Sequence, residues 1–226
     1  MNPIFITGIG TEVGKTLVAA IVTEALRADY WKPVQAGYAD GTDSEWVRKT
    51  IASPLSRVYP ESYRLALPAS PHIAARQEGV EIEIHRIVED FKGISARSGS
   101  GGQAGVVQRP LVIEGAGGLL VPLNGNEFVT DLIRALDATV ILVSRNYLGS
   151  INHSLLTAAA CRAHGLRVAG WIFSDQYGHY EADIVRWTGI PSLASIPHSE
   201  NPGREFVREQ AERIGVSLRA ALSVTG

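Results

Sequence analysis

Cysteine is almost absent from this chain of 226 residues, with Cys161 standing alone. A lone thiol cannot close an internal disulfide or build a multi-cysteine zinc site, which points to a reducing compartment. Neither sign of charge is in excess: Lys and Arg number 21 against 23 Asp and Glu, a formal net charge of −2. That balance leaves no electrostatic footprint for nucleic acid. Long apolar runs are missing as well. Stretches such as Thr139 to Val143 are strand-length, far below the ~20 residues that span a bilayer. Met1–Thr7 has no basic leader and too short an apolar run for a signal peptide. The histidines show no metal-ligand spacing, no serine occupies a nucleophile elbow, and no repeat is present. These absences lead to the expectation of a cytoplasmic chain, free of membrane, folded as one domain over residues 1–226.

Short, β-branched apolar runs alternate with stretches of helical character. Strands are expected at Pro3–Thr7, Tyr30–Gln35, Leu111–Glu114, Ala138–Ser144 and Arg167–Phe173. Helices are expected at about Lys15–Ala28 (with Leu17, Ile21 and Ala25 at i, i+4), Glu83–Phe91, Val129–Leu136, Ser150–His164 and Arg204–Leu222. The strands are near-continuous apolar runs, as in a parallel sheet covered on both faces. The alternation predicts an α/β fold, a doubly wound, mostly parallel sheet flanked by helices. The Gly93–Gly105 stretch, rich in Gly and Ser, is read as a mobile loop.

There are 23 glycines, and their placement carries the chemistry. Thr7-Gly8-Ile9-Gly10-Thr11-Glu12-Val13-Gly14-Lys15-Thr16 follows the first strand and opens the first helix, the context of a P-loop. Small residues let consecutive N–H groups turn inward around an anion, and the helix N-terminus adds its positive dipole end. Lys15 would reach the β/γ-phosphates and the Thr16 hydroxyl would ligate Mg²⁺. The strict spacing asks for glycine at position 9, whereas glycines stand at 8 and 10. Glu114 closes a buried strand where ligands bind in open α/β sheets, a place for a metal-holding carboxylate. Gly115-Ala116-Gly117-Gly118 then lets the backbone pass close to a ligand. Leu148-Gly149-Ser150-Ile151-Asn152 opens another helix, whose free N–H groups suit a carboxylate, with Ser150 readable as an ordinary N-cap.

Together with Lys32-Pro33-Val34-Gln35-Ala36-Gly37, Ser70-Pro71-His72, the run from Glu114 to Leu123, Leu148–His153 and Ala169-Gly170-Trp171, in this order, the chain resembles the dethiobiotin synthetases. The resemblance implies a P-loop NTPase-type fold and ATP-dependent carboxylation and ring closure of 7,8-diaminononanoate with CO₂, a step of biotin synthesis. One amine forms a carbamate, the γ-phosphoryl moves onto it, and the second amine attacks to close the ureido ring. It further implies that Thr11, Glu12, Lys15 and Lys32 surround the carbamate and γ-phosphate. Gly10, Thr11, Glu12, Val13, Gly14, Lys15, Thr16 and Leu17, with Ser174 and Glu200, would bind the nucleotide. Lys32, Ala36 and Gly149, Ser150, Ile151 and Asn152 would bind the substrate, the last four across a homodimer interface. Thr16, Asp43 and Glu114 would hold Mg²⁺.

Two positions depart from the family. Ala36 stands where members often carry a hydroxyl that touches the substrate. Ser174 stands where many place an asparagine that reads adenine, and a hydroxyl makes fewer simultaneous contacts than a carboxamide. Weak base discrimination follows as an expectation. Two rivals share the P-loop. Partition or MinD-type ATPase switches carry an extra lysine early in the loop, whereas positions 9 to 12 here are Ile, Gly, Thr and Glu. A cobyrinate-type amide synthase normally adds a glutaminase domain, for which this chain has neither the length nor the nucleophilic cysteine.

Overall fold

The computed structural model describes residues 2–99, 109–175 and 180–224. In chain order β1 spans Ile4–Gly8, α1 Lys15–Leu26, β2 Asp29–Trp31, β3 Val34–Ala36, α2 Asp43–Thr50, β4 Tyr63–Leu65, α3 Pro71–Gln77 and α4 Ile84–Gly99. Then come β5 Leu111–Gly118, α5 Val129–Ala135, β6 Thr139–Arg145, α6 Ser150–Ala163, β7 Val168–Ser174, α7 Glu181–Thr188, β8 Ser192–Ile196 and α8 Arg204–Val224. Six strands form one sheet in the order β2-β5-β1-β6-β7-β8, and β3 and β4 form a separate pair. Among the described residues every pairing between these strands is parallel, so the doubly wound parallel architecture expected from the strand pattern is present. From β1 the chain first winds towards β2, and from β6 it winds the other way. The crevice between β1 and β6 is therefore the switch point where such sheets place ligands.

The apolar runs become the sheet's two covered faces. Phe5, Trp31, Ile113, Leu142, Trp171 and Phe173 pack on one side with residues of α3 to α7. Ile4, Ile6, Val112, Ile141 and Ile172 pack on the other, with α1, α2 and α8. Trp31 and Trp171 are fully buried, each contributing about 2–3 kcal/mol by apolar area removed from water. Helix α1 is not the simple amphipathic stripe implied by Leu17, Ile21 and Ala25. Val18, Ala19, Ala20, Ile21, Val22 and Thr23 are all buried, because the sheet, α2 and α8 enclose most of its circumference. Cys161 lies 1% exposed in α6, and burial raises its thiol to about 12, so it stays protonated and inert. Among the described residues no helix is long and apolar enough to cross a membrane.

Three local expectations need correction. The single strand at Tyr30–Gln35 is two, β2 in the main sheet and β3 in the small one. Pro33 sits at the break, and a residue without an N–H cannot continue the ladder. Gly93–Gly99 is helical, belonging to α4, while residues 100–105 lie outside the described ones. Ile84, Ile87, Phe91 and Ile94 keep helical spacing past Gly93, with Ile87 and Ile94 buried against the core. The N-cap of α6 is Gly149, in the left-handed region at φ 102, rather than Ser150. The Ser150 hydroxyl instead accepts from the Tyr147 N–H at 3.3 Å.

Candidate functional site

Two glycines of the turn between β1 and α1 sit where a Cβ would crowd a neighbour. A Cβ at Gly8 would lie 2.5 Å from Val13 Cγ2, and one at Gly14 would lie 2.6 Å from Ser174 Oγ. Gly14 also has φ 87. Gly118 comes close to the same turn, where a Cβ would stand 3.2 Å from the Gly8 carbonyl. Ile9 N–H donates to Val143 O at 3.0 Å, anchoring the loop on the neighbouring strand. Val13 is buried, whereas Thr11 and Glu12 at the crest are exposed, and Glu12 adopts φ 55. Leu17 packs one turn into α1 against the core. The Lys15 ammonium donates to Gly10 O at 2.6 Å. It is almost buried, and burial, partly offset by Glu114, lowers its pKa to about 8.

Around the loop, four more elements deliver side chains to one point. Thr16 Oγ1, at the start of α1, lies 3.0 Å from Asp43 Oδ1 and 2.9 Å from Glu114 Oε1. One hydroxyl proton can serve only one of these at a time. Lys32 bridges the two carboxylates, donating to Glu114 Oε1 at 2.9 Å and to Asp43 Oδ2. Burial would lower the Lys32 pKa, but the facing Glu114 and Asp43 outweigh it and hold it above the usual value. Asp43, in turn, is held below the ordinary range by Lys32 in spite of its own burial. Its position is set by α2: Thr42 and Glu45 form a reciprocal capping box at 3.1 Å each way. Gln35 Oε1 accepts from Asp43 N–H at 3.2 Å. Asp43, the member placed only through resemblance, thus meets Thr16, and Lys32 joins it to Glu114. Two carboxylates and a hydroxyl form a hard, all-oxygen donor set, the kind Mg²⁺ takes alongside phosphate oxygens and water.

The remaining candidates lie apart from that point. Ser174 ends β7 against Gly14 and is buried, while Glu200 is exposed between β8 and α8. Ala36 is half-buried in β3. Gly149 and Asn152 are exposed at the start of α6, with Ser150 buried and Ile151 half-buried. An apolar cleft of about 330 Å³ runs between the Gly8–Gly10 turn, Gly118–Val121 and α6 at Leu156 and Ala160.

Two contacts escape a reading of the chain alone. Tyr30 OH donates to Glu114 Oε2 at 2.7 Å, fully buried, and burial beside that carboxylate raises its pKa well above the ordinary value. Arg145 holds Asp175 at 3.1 and 3.2 Å and reaches Glu12 O at 3.4 Å, tying the loop crest to the end of β7. A tyrosine inside an apolar strand reads as core, and a strand-end arginine reads as solvated. Only the period-two spacing of Tyr30 and Lys32 hinted at a shared face.

A glycine-shaped turn at the switch point, opening a helix with Lys and Thr beside Glu114, which sits inside β5 rather than closing it, defines a P-loop nucleotide-binding α/β protein. A family model described as an AAA domain matches residues 2–205. The fold is shared with the MinD cell division protein of Aquifex aeolicus, TM-score 0.56 at 14% identity, covering 99% of this chain and 97% of that one. Sequence relatives are far closer. The ATP-dependent dethiobiotin synthetase BioD of Cytophaga hutchinsonii is 45% identical over 95% of this chain and 97% of its own. The same-named protein of Christiangramia forsetii is 43% identical over 92% and 94%. The chain belongs to the dethiobiotin synthetase family.

Proposed function

We propose that this chain performs the ATP-dependent carboxylation and ring closure of 7,8-diaminononanoate with CO₂ to dethiobiotin, in biotin biosynthesis. The observation that carries the reading is the meeting of Lys32, Asp43 and Glu114 with Thr16 beside the P-loop lysine. Carbamate and triphosphate are both anions, and bringing them together needs concentrated positive charge in a site with little water. Lys15 and Lys32 supply it. Lys15 directs one of its three donors at Gly10 O, leaving two for phosphate oxygens. Thr11 and Glu12 sit on the exposed crest where the transferred group would lie, and Gly10 to Leu17 with Ser174 and Glu200 would frame the nucleotide. Thr16, Asp43 and Glu114 would hold Mg²⁺, which when bound offsets charge on the phosphates.

The apolar cleft beside Gly8–Gly10 suits the substrate's hydrocarbon chain, and Lys32 and Ala36 would contact the substrate. Gly149, Ser150, Ile151 and Asn152 would bind the substrate carboxylate of a second copy in a homodimer. Leu156 and Leu120, exposed on that cleft at 60% and 55%, support a partner's covering this face.

The direct test supplies diaminononanoate, bicarbonate and Mg-ATP. Phosphate release that depends on the diamine, with dethiobiotin formed in equal amount, is expected. Hydrolysis indifferent to the diamine but stimulated by a protein or DNA partner would instead point to an ATPase switch. Because a serine reads the base at position 174, GTP and CTP are expected to replace ATP with turnover within about tenfold, one lost contact being worth about 1 kcal/mol. A strict ATP preference in a donor competition assay would sink that expectation.

A further inference from the structure

Glu114 is 1% exposed, so water cannot satisfy its two oxygens, and the protein must fix how the carboxylate is turned. The two oxygens have different partners. Oε1 faces Lys32 at 2.9 Å and Thr16 at 2.9 Å, on the side of the site. Oε2 accepts from Tyr30 OH at 2.7 Å, away from it. Tyr30 and Lys32 lie two residues apart along the extended chain, which brings both to the same carboxylate, one to each oxygen. Tyr30 itself cannot drift. It is fully buried, registers with Val112 on β5, donates its N–H to Arg57 O at 2.8 Å and accepts from Tyr59 N–H at 2.9 Å. Its ring packs in the core on the side of α1 and α2.

We propose that Tyr30 is a positioning residue for the metal-binding carboxylate: its hydroxyl occupies Oε2 of Glu114, leaving Oε1 as the single oxygen presented to a divalent cation. Thr16 and Lys32 are the contacts a bound cation and phosphate would redistribute. The Tyr30 contact lies outside the ligand space and persists through turnover. Without it a buried carboxylate has one oxygen with no donor, and rotation about its terminal torsion, a soft one, lets both oxygens turn to Lys32.

This rests on Glu114 as a metal ligand, and the test separates the two. Mn²⁺ binding is followed by electron paramagnetic resonance in the presence of a non-hydrolysable ATP analogue, for wild type, Tyr30→Phe and Glu114→Gln. Metal-free analogue affinity and melting temperature are measured alongside. Tyr30→Phe keeps the ring and is expected to weaken Mn²⁺ binding by about tenfold, the lower end for lost partners of a metal ligand. Metal-free analogue affinity is expected to stay within about twofold, inside the context-dependent spread of one neutral contact. Mn²⁺ affinity lost in Glu114→Gln but unchanged in Tyr30→Phe overturns the role of Tyr30, as does a fall in melting temperature with Mn²⁺ affinity unchanged. Mn²⁺ binding absent in wild type, or unaffected by Glu114→Gln, overturns the metal reading and this inference with it.

Discussion

Lys32→Met is expected to lower turnover by about 10²–10³-fold, the range for loss of one charge-stabilising donor in an enclosed site, with a smaller effect on ATP binding. Lys32 is 5% exposed and, among the described residues, is the one ammonium in contact with both Asp43 and Glu114. Its removal therefore acts twice. It takes away positive charge that the proposed reaction would set against the carbamate, and it leaves the two carboxylates, among the described residues, with Thr16 and Tyr30 as side-chain hydrogen-bond donors and Lys15 as the nearby cation. In the metal-free protein the second effect is expected to cost about 3 kcal/mol, the low end for breaking a buried pair, because Asp43 is 31% exposed. Steady-state kinetics with varied diamine and ATP, together with melting curves with and without Mg²⁺, check both parts. A variant with wild-type turnover removes Lys32 from the chemistry.

Gly170→Val is expected to destabilise the fold by about 3 kcal/mol, the upper part of the range for overpacking, lowering the melting temperature by roughly 6–12 °C. A Cβ at Gly170 would stand 2.6 Å from Leu193 Cγ and 2.7 Å from the Pro191 carbonyl. The second contact is with backbone, and that carbonyl accepts from Trp171 N–H at 2.8 Å, so relief requires β8 to move off β7. Because β7 ends at Ser174, against Gly14, the strain reaches the nucleotide loop as well as the sheet. Gly93→Ala serves as the counterpart: open space surrounds its Cβ position and it lies inside α4. That change is expected to hold or raise stability by about 0.5–1 kcal/mol. Differential scanning calorimetry on both variants distinguishes packing at a strand from a general intolerance of glycine replacement.

The parts of the site that could be read from the chain are those whose chemistry is written in consecutive residues. Lys15 and Thr16 belong to a strand, turn and helix whose order states their role, and Glu114 stands in an apolar run followed directly by glycines. The parallel sheet shows because its strands are apolar throughout. Asp43 is different. Its place depends on a helix opened by Thr42-Asp43-Ser44-Glu45, a capping pattern that was available locally but gained meaning only when the carboxylate met Thr16. Tyr30 and Arg145 had no local mark beyond the two-residue spacing of Tyr30 and Lys32, since each is defined by a partner distant in sequence, Glu114 and Asp175. The stretch around Gly93 misleads for the opposite reason: glycine and serine content argues for a loop, while Ile94, one residue on, is held in the core. Composition weighs residues equally, whereas a helix is kept by the few that find a buried surface.

The position of β1 has a consequence for how the protein is made. It lies between β5 and β6, so its pairing waits for β5 and is complete only once β6 has followed. Thr16 waits 98 residues for Glu114, and α1 waits for α8, whose Arg219 caps Ala25 O across 194 residues. Contacts so distant in sequence slow folding. Until they form, the nascent chain carries an apolar helix with nothing to cover it, a natural client for chaperones. The cluster of Thr16, Lys32, Asp43 and Glu114 thus waits for β5, and a chain interrupted before α8 would leave one side of α1 uncovered.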